Sequence, residues 1–499
     1  MTPTLDTPVL IAGGGPTGLV LASVLAANGV NCLLAERNPS TTRFPKMDIT
    51  TGPSMELLRR LSVDQELRRV GVASQFSFDV IFAPGLNEPE VGRWRLPSVD
   101  EQRAVLAKSV DGSRPGQPWQ RLSQALFEKV LMERCRRDPL IDVHQGWRLE
   151  SCSEIDGAVE ATLVGAGDDS TAVRAGYLVG CDGALSRVRN ELGIAMTGAP
   201  EFTHFALVHF RSPDVANLQA LGQFWHLFFT SGVAVIAQDE VDTWTLHVDL
   251  GPELSEEDPI GDPREFVLRA LGRPIEITGV LASSIWRPTA LLADSYGRGR
   301  ILLAGDAVHT MIPTGGYGMN TGLGDAFNLG WKLAAVVRGW GGQALLDSYE
   351  QERRPVGERN RDVSLENAVV HLQYRAMADG DLIMADSADG TGPPSRSGRV
   401  PGRQRRRKPQ PRYRTGRALR QFPHRVHSGR TSTAVGSPHL RADSAGRTSS
   451  PQHRCRTRRN TVRQFRARLH PGRRMQTPRS QAVGRRGRTQ RNTVAPLGC

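Results

Sequence analysis

Three glycine-rich turns, each entered from a short apolar run, constrain this chain more than anything else in it. The first is Gly13-Gly14-Gly15-Pro16-Thr17-Gly18, after Val9-Leu10-Ile11-Ala12. The second is Asp182-Gly183, after Tyr177-Leu178-Val179-Gly180-Cys181. The third is Gly305-Asp306, after Ile301-Leu302-Leu303-Ala304, and the loop Pro313 to Asn320 follows it. Apolar runs of this length suit buried parallel strands. Gly13, Gly15 and Gly18 match G-x-G-x-x-G. Gly13 permits a tight turn, Gly15 lets backbone approach a pyrophosphate, and Gly18 lets the next helix lie close to the strand. Leu19 to Asn28 reads as that helix, and Val30 to Ala35 as a second strand ending at Glu36. A carboxylate there can accept from both hydroxyls of an adenosine ribose, while the helix N-terminus favours the pyrophosphate. Taken together, these features describe a protein wrapped around one dinucleotide. Glu36 followed by Arg37 does not by itself decide between NAD and FAD.

The later turns decide it. An Asp at the C-terminal end of a strand lies at the mouth of an α/β sheet, where ligands bind. Asp306 could hold a ribityl hydroxyl. The helix expected from about Leu323 to Val337 could aim its N–H groups at the flavin N1–C2=O edge, where reduced flavin carries negative charge.

With these stretches in view, the chain resembles the class A FAD-dependent aromatic-ring hydroxylases, the group related to para-hydroxybenzoate and phenol hydroxylases. The resemblance covers roughly residues 7 to 370. It rests on VLIAGGGPTGLVLASVLAANGVNCLLAER, YLVGCDGALSRVR, GRGRILLAGDAVHTMIPTGGYGMNTGLGDAFNLGWKLAAVVRG and LLDSYEQERRP. The resemblance implies that Glu36, with Arg37 beside it, binds the adenosine ribose and that Lys46 lies near the pyrophosphate. It implies that Arg121 and Gln124 contact the cofactor, that Asp182 serves both FAD and NAD(P)H, and that Asp306 holds the ribityl chain. Pro313 and the loop carrying Gly316, Gly318, Met319 and Asn320 would border the isoalloxazine ring. The implied reaction uses NAD(P)H, FAD and molecular oxygen to hydroxylate a small phenolic or polyketide aromatic through a flavin C4a-hydroperoxide. Water must be excluded from such a site. The resemblance also admits a homodimer.

The expected fold class is α/β: a Rossmann-like FAD-binding domain with an inserted, mostly antiparallel β-sheet substrate domain. The expected segments are 1–190 and 286–375 for the FAD domain, with 75–115 near the pocket, and 191–285 for the insert. The insert has alternating aromatic runs such as Phe224 to Phe229 and Trp244 to Val248, which read as half-buried strands. His209, Arg211, Trp225, His226 and His247 are candidates to orient or deprotonate a phenol, and a histidine suits that task. Among these, His226 and Arg211 are the expected catalytic residues, with Pro313 beside the flavin.

Residues 391–499 break the pattern. They hold 28 Arg, one Lys and a single acid, Asp443, so this stretch is +28 while residues 1–390, with 35 basic and 50 acidic residues, are −15. Such a composition cannot bury enough apolar area to offset ordering entropy. It is expected to be a disordered or aberrant basic tail. It reads either as an arm that binds nucleic acid or as an out-of-frame translation of a GC-rich gene. The abrupt change near Thr391 favours the second. Nucleic acid is therefore not an expected partner. An inert flavin-binding remnant remains a rival to an active enzyme. A halogenase is disfavoured, since Gly92 to Pro97 only partly echoes its W-x-W-x-I-P signature.

Six cysteines with no paired spacing, no signal-peptide pattern at the start and no long apolar window point to a cytoplasmic protein without a membrane span. No metal-ligand spacing is visible.

Overall fold

The computed structural model describes residues 4–377 except 110, 200, 202 and 255–258. The Arg-rich stretch 391–499, with the expectation attached to it, lies outside the described residues.

The apolar runs become one parallel sheet. In spatial order its strands are Ile301–Leu303, Ser170–Gly180, Thr4–Ala12, Cys32–Glu36 and Ile141–Gln145. The register sets Ala12 beside Gly180 and Gly180 beside Leu303. The three glycine turns therefore leave the ends of three adjacent strands at one level, although about 170 and 120 residues of chain separate them. Hydrogen bonds lock this edge: Cys181 N donates to Ala12 O at 2.7 Å, and Ala304 N to Gly180 O at 3.0 Å. A hairpin, Arg148–Ile155 with Ala158–Val164, extends the sheet in antiparallel sense.

Two helices cover the sheet near the turns. Helix Pro16–Ala27 is apolar almost all round and buries Leu19, Val20, Leu21, Val24 and Leu25, as expected for a helix enclosed on every side. Helix Tyr317–Val337 packs against it closely. A Cβ on Gly330 would lie 2.6 Å from Val24 Cγ1, so this approach requires glycine. The last helix, Gln343–Met377, lies alongside and carries Pro355 within it.

The second sheet is the insert. Its order is Gly279–Trp286, His204–Arg211, Thr243–Gly251, Val233–Ala237, His226–Phe229, Val80–Ala83 and Gly92–Trp94. Only the pairing of His226–Phe229 with Val80–Ala83 is parallel. Two strands thus come from the 75–115 stretch, ahead of the 191–285 segment. A parallel partner needs a long connection, and the whole span from Ala83 to His226 provides it. Strand alternation gives the sheet two unlike faces. One face carries Ile81, Leu227, Val235, Leu246, Val208 and Phe210 into a core shared with helix Pro263–Leu271. The other face carries Phe82, His226, Phe228, Ile236, His247 and Trp286, several of them half-buried. A two-stranded link, Met196–Ala199 with Ala290–Ala293, carries the chain into and out of the insert.

Candidate functional site

The glycine turns separate into positions that touch protein and positions that do not. Gly13 holds φ +109°, and a Cβ there would collide with Cys181 O; one on Gly18 would collide with Gly13 O. By contrast, a Cβ on Gly15, Gly183 or Gly318 would meet no protein atom within 4 Å. These three positions face open space, which leaves room for a group that is not protein. Helix Pro16–Ala27 and helix Tyr317–Val337 both start on glycine, with no side-chain cap and no acid in the first turn. Their free N–H groups and positive ends suit a pyrophosphate and an electron-rich ring edge respectively.

Polar groups ring these turns. Glu36 Oε2 accepts from Gly14 N at 2.7 Å, and its Oε1 accepts from Asn38 N and Nδ2 at 2.8 and 2.7 Å. Asn38, which orients this carboxylate, escaped sequence reasoning. Asp182 Oδ2 accepts from Val188 N at 3.1 Å, while Oδ1 is buried and has no partner. Leaving a buried acceptor unpaired is costly, and a ligand hydroxyl would satisfy it. Asp306 sits on the turn Gly305–Ala307 and is exposed, as are Arg37, Lys46 and Pro313. Gln124 donates to Glu128 Oε1 at 2.7 Å. Burial pushes the Glu128 carboxyl up, against the pull of Gln124, Thr42 and the Lys46 charge. Met319 packs at the edge of the main core. Asn320 Nδ2 donates to Gly316 O at 2.7 Å and Ile49 O at 3.1 Å, and its Oδ1 accepts from Thr51 N at 3.0 Å. One amide thereby ties the helix start Gly316 to Gly318 to the strand Ile49–Thr50.

Beneath the third turn lies a buried charged anchor. Asp325 accepts from His309 Nε2 at 2.7 Å, Arg353 Nε at 2.7 Å and Gly305 N at 3.2 Å. Burial alone would raise its carboxyl. The Arg353 and His309 partners outweigh burial and hold it below the usual range.

Arg121, which the resemblance places at the cofactor, is buried. Its guanidinium turns toward the insert, where it pairs with Glu240 and donates to Ala237 O at 2.6 Å and Ser77 O at 3.2 Å. Both side chains of the pair are almost fully buried. Glu240 takes φ +63°, a strained backbone for glutamate, to deliver its carboxylate there. A buried arginine needs that counter-charge, and Glu240 meets the need from the turn between strands Val233–Ala237 and Thr243–Gly251.

Where the lobes meet, Asp48 faces the sheet. Its Oδ2 accepts from His226 Nε2 and Trp225 Nε1, each at 2.9 Å. The two donor rings stack, with centroids 4.2 Å apart. Burial would raise the Asp48 carboxyl, but the His226 charge, the two hydrogen bonds and Arg121 lower it. His247 lies within electrostatic reach of both Asp48 and His226, and burial pulls it down to about 4, so it is neutral near pH 7. Burial also lowers His209, whose Nδ1 lies 3.1 Å from Trp244 O. Arg211 is not brought to this group. It sits at the far end of its strand, half exposed, paired with Asp242 at 3.4 Å. Sequence reasoning missed Asp48, because nothing in Pro45-Lys46-Met47-Asp48 marks one carboxylate for a contact 178 residues away.

No group able to hold a metal ion occurs among the described residues, and no helix among them is long and apolar enough to cross a membrane.

The profile of the FAD binding domain family matches residues 6–364. A FAD-dependent monooxygenase, apdD, of Emericella nidulans is 44% identical over 73% of this chain and 60% of its own length. Aklavinone 12-hydroxylase DnrF of Streptomyces peucetius is 34% identical over 72% of this chain and 74% of its own. Among solved structures, the rebeccamycin biosynthetic enzyme RebC with reduced flavin superposes with a TM-score of 0.67 at 32% identity, over 78% of this chain and 72% of RebC. The chain spans about three fifths of the length of several curated relatives it matches. The open glycine positions, the unpaired Asp182 oxygen and the two uncapped helices fit a flavin dinucleotide, and the match over residues 6–364 shows that the chain belongs to the FAD binding domain family.

Proposed function

We propose that the chain is a FAD- and NAD(P)H-dependent monooxygenase that hydroxylates a phenolic or polyketide aromatic. The observation that carries this reading is the Asp48 contact. A carboxylate on the cofactor lobe grips an imidazole and an indole on the aromatic face of the substrate sheet. It immediately precedes the strand Ile49–Thr50, which Asn320 ties to the start of the flavin-edge helix. FAD, when bound, activates molecular oxygen and delivers one of its atoms.

The chain's own residues then have definable work. Glu36, Asp182 and Asp306 bind hydroxyls of the dinucleotide, with Lys46 and Arg37 near its phosphate and ribose. Gly316, Gly318, Met319 and Asn320 frame the ring, and Pro313 stands at its rim. His226, with Nε2–H committed to Asp48, offers Nδ1 to take the phenolic proton, while Asp48 fixes the ring and stabilises its charged form. Neutral His247 can donate or accept without adding charge. Phe82, Phe228 and Trp286 supply flat apolar surface for an aromatic ring and exclude water. Among the described residues Cys32, Cys135, Cys152 and Cys181 are free thiols, which suits a reducing cytoplasm. Neither the nucleic-acid reading nor the inert remnant draws support from the relatives.

The test uses purified full-length protein. It should be yellow, and a phenolic or polyketide aromatic should stimulate its NAD(P)H oxidation with formation of a hydroxylated product. Folded protein that stays colourless after incubation with FAD overturns the proposal.

A further inference from the structure

A cavity of about 360 Å³ opens between helix Asp64–Val70, helix Val99–Leu106 and the loop from Arg114 to Pro118. Arg68, Arg103 and Arg114 line it, and no carboxylate among the described residues does. Arg68 satisfies its donors with neutral acceptors only: Pro118 O at 2.9 Å, Gln117 Oε1 at 3.0 Å, Gln120 Oε1 at 3.1 Å and Trp119 O at 3.4 Å. Those bonds fix the guanidinium without cancelling its charge. Burial and the neighbouring Arg103 charge pull Arg68 down to about 10, and Asp64 only partly offsets them. The nearby acids are otherwise engaged. Asp100 pairs with Arg103 at 3.0 Å in a half-exposed contact. Asp64 also accepts from Gln65 at 2.9 Å, and Glu56 accepts from Gly116 N. Asp111, fully at the surface, faces Arg114.

Like charges gathered around a concave space, with no acid in its wall, form an anion site. Guanidinium groups match phosphate oxygens in geometry. The volume exceeds that of a free phosphate and falls at the small end of ligand sites, roughly 300–1,000 Å³, so it suits a phosphate with a sugar attached. The cavity wall is also continuous with the flavin-facing loop. A Cβ on Gly52 would lie 2.6 Å from Gln117 O, and the preceding residue, Thr51, donates to Asn320 Oδ1 at 3.0 Å.

We propose that this cavity binds a phosphate monoester, and that the ester it selects is the 2′-phosphate of NADPH. The second half rests on the reading of the chain as an NAD(P)H-dependent flavoenzyme. Selection arises because NADH, which shares the pyrophosphate, lacks the 2′-phosphate monoester that the arginines grip.

The test is calorimetric titration of FAD-loaded full-length protein with adenosine 2′,5′-bisphosphate, 5′-AMP and inorganic phosphate. It compares wild type with an R103Q/R114Q double variant, whose two altered side chains are exposed and not needed to hold the loop. The bisphosphate should bind at least ten-fold tighter than 5′-AMP. The double variant should lose that margin, and its KM for NADPH relative to NADH should rise about as much. Inorganic phosphate binding as tightly as the bisphosphate, and weakened by the double variant, would keep a phosphate site but overturn NADPH as its source. No saturable binding of any probe, or binding indifferent to the two substitutions, overturns the site itself. These binding readouts do not depend on turnover, so they can fail while the flavoenzyme reading stands.

Discussion

In the cofactor lobe the decisive positions are glycines, and what matters is the side chain they lack. In the substrate sheet the decisive positions are large side chains that arrive from separate strands and meet on one face. Backbone builds the first site: three turns at one level, two open helix ends and a few carboxylates. Side chains build the second: Asp48 meets Trp225 and His226 only because two lobes face each other, and His247 lies within electrostatic reach of them from a third stretch of sequence. A site of the first kind depends most on its glycines, its carboxylates and the Asn320 tie. A site of the second kind can change its ligand by changing one ring.

The sharpest way to break this contrast is at Gly18. Its Cβ would collide with the carbonyl of Gly13, so Gly18→Ala should destabilise the fold by more than about 4 kcal/mol, read as loss of soluble, yellow protein. Gly15→Ala should behave oppositely. Its Cβ meets no protein atom, so the thermal midpoint without flavin should hold while FAD affinity falls at least about ten-fold, or about 1.4 kcal/mol. If both variants lose stability equally, the division between packing glycines and ligand-facing glycines is wrong.

The next largest effect lies at the clamp between the lobes. Arg121→Met leaves Glu240 buried without its partner and should cost about 3–5 kcal/mol in denaturant unfolding. Adding Glu240→Leu should recover much of the loss. An unchanged unfolding midpoint for the single variant would show the pair to be solvated.

A smaller effect belongs to His247. Its folded pKa of about 4 lies below the unfolded value of about 6.5. The unfolded chain therefore takes up the proton first as pH falls, and stability is lost between about pH 6.5 and 4. The loss on this account is at most about 3 kcal/mol. His247→Gln should flatten the acid limb of the stability profile, and an unchanged limb would place the loss elsewhere.

The smallest expected change is kinetic. Asp48→Asn keeps a group of the same size but removes the charge that pairs with His226. Substrate-stimulated turnover near pH 7 should fall about ten- to hundred-fold with FAD binding unaltered, and the acid limb of the pH–rate profile should shift. An unchanged profile would reduce Asp48 to a structural tie.

The contrast also explains what could be read from the sequence. The cofactor turns were legible because each is local: an apolar run, a glycine at fixed spacing, a helix behind it. The parallel order needed only the rule that such turns gather at the sheet mouth. The alternating runs around Phe224 and Trp244 likewise announced strands with one buried face. Asp48 was illegible because its meaning comes from a two-residue strand, Ile49–Thr50, pairing with Gln120–Arg121, and from a histidine that reaches it only when the insert folds. Arg121 was visible as important, but its direction was not. The reason lies in Glu240, whose left-handed backbone no pattern in Gln238-Asp239-Glu240-Val241-Asp242 reveals. Arg211 was a candidate to orient a phenol, yet it stands at a strand end, where its charge can reach water and Asp242.

The anchor under the third turn bears on how short a working version of this protein can be made. Arg353 reaches Asp325 from the last helix, Asn360 Nδ2 donates to Thr321 at 2.8 Å, and Thr314 donates to Ser364 O at 2.6 Å. That helix is a strut bolted at successive levels to the flavin-edge helix and to the loop before it. Trimming into that helix should therefore begin to loosen the grip on the ring once it reaches Asn367, whose side chain hydrogen-bonds Tyr317, and each further turn removed should unfasten another bolt.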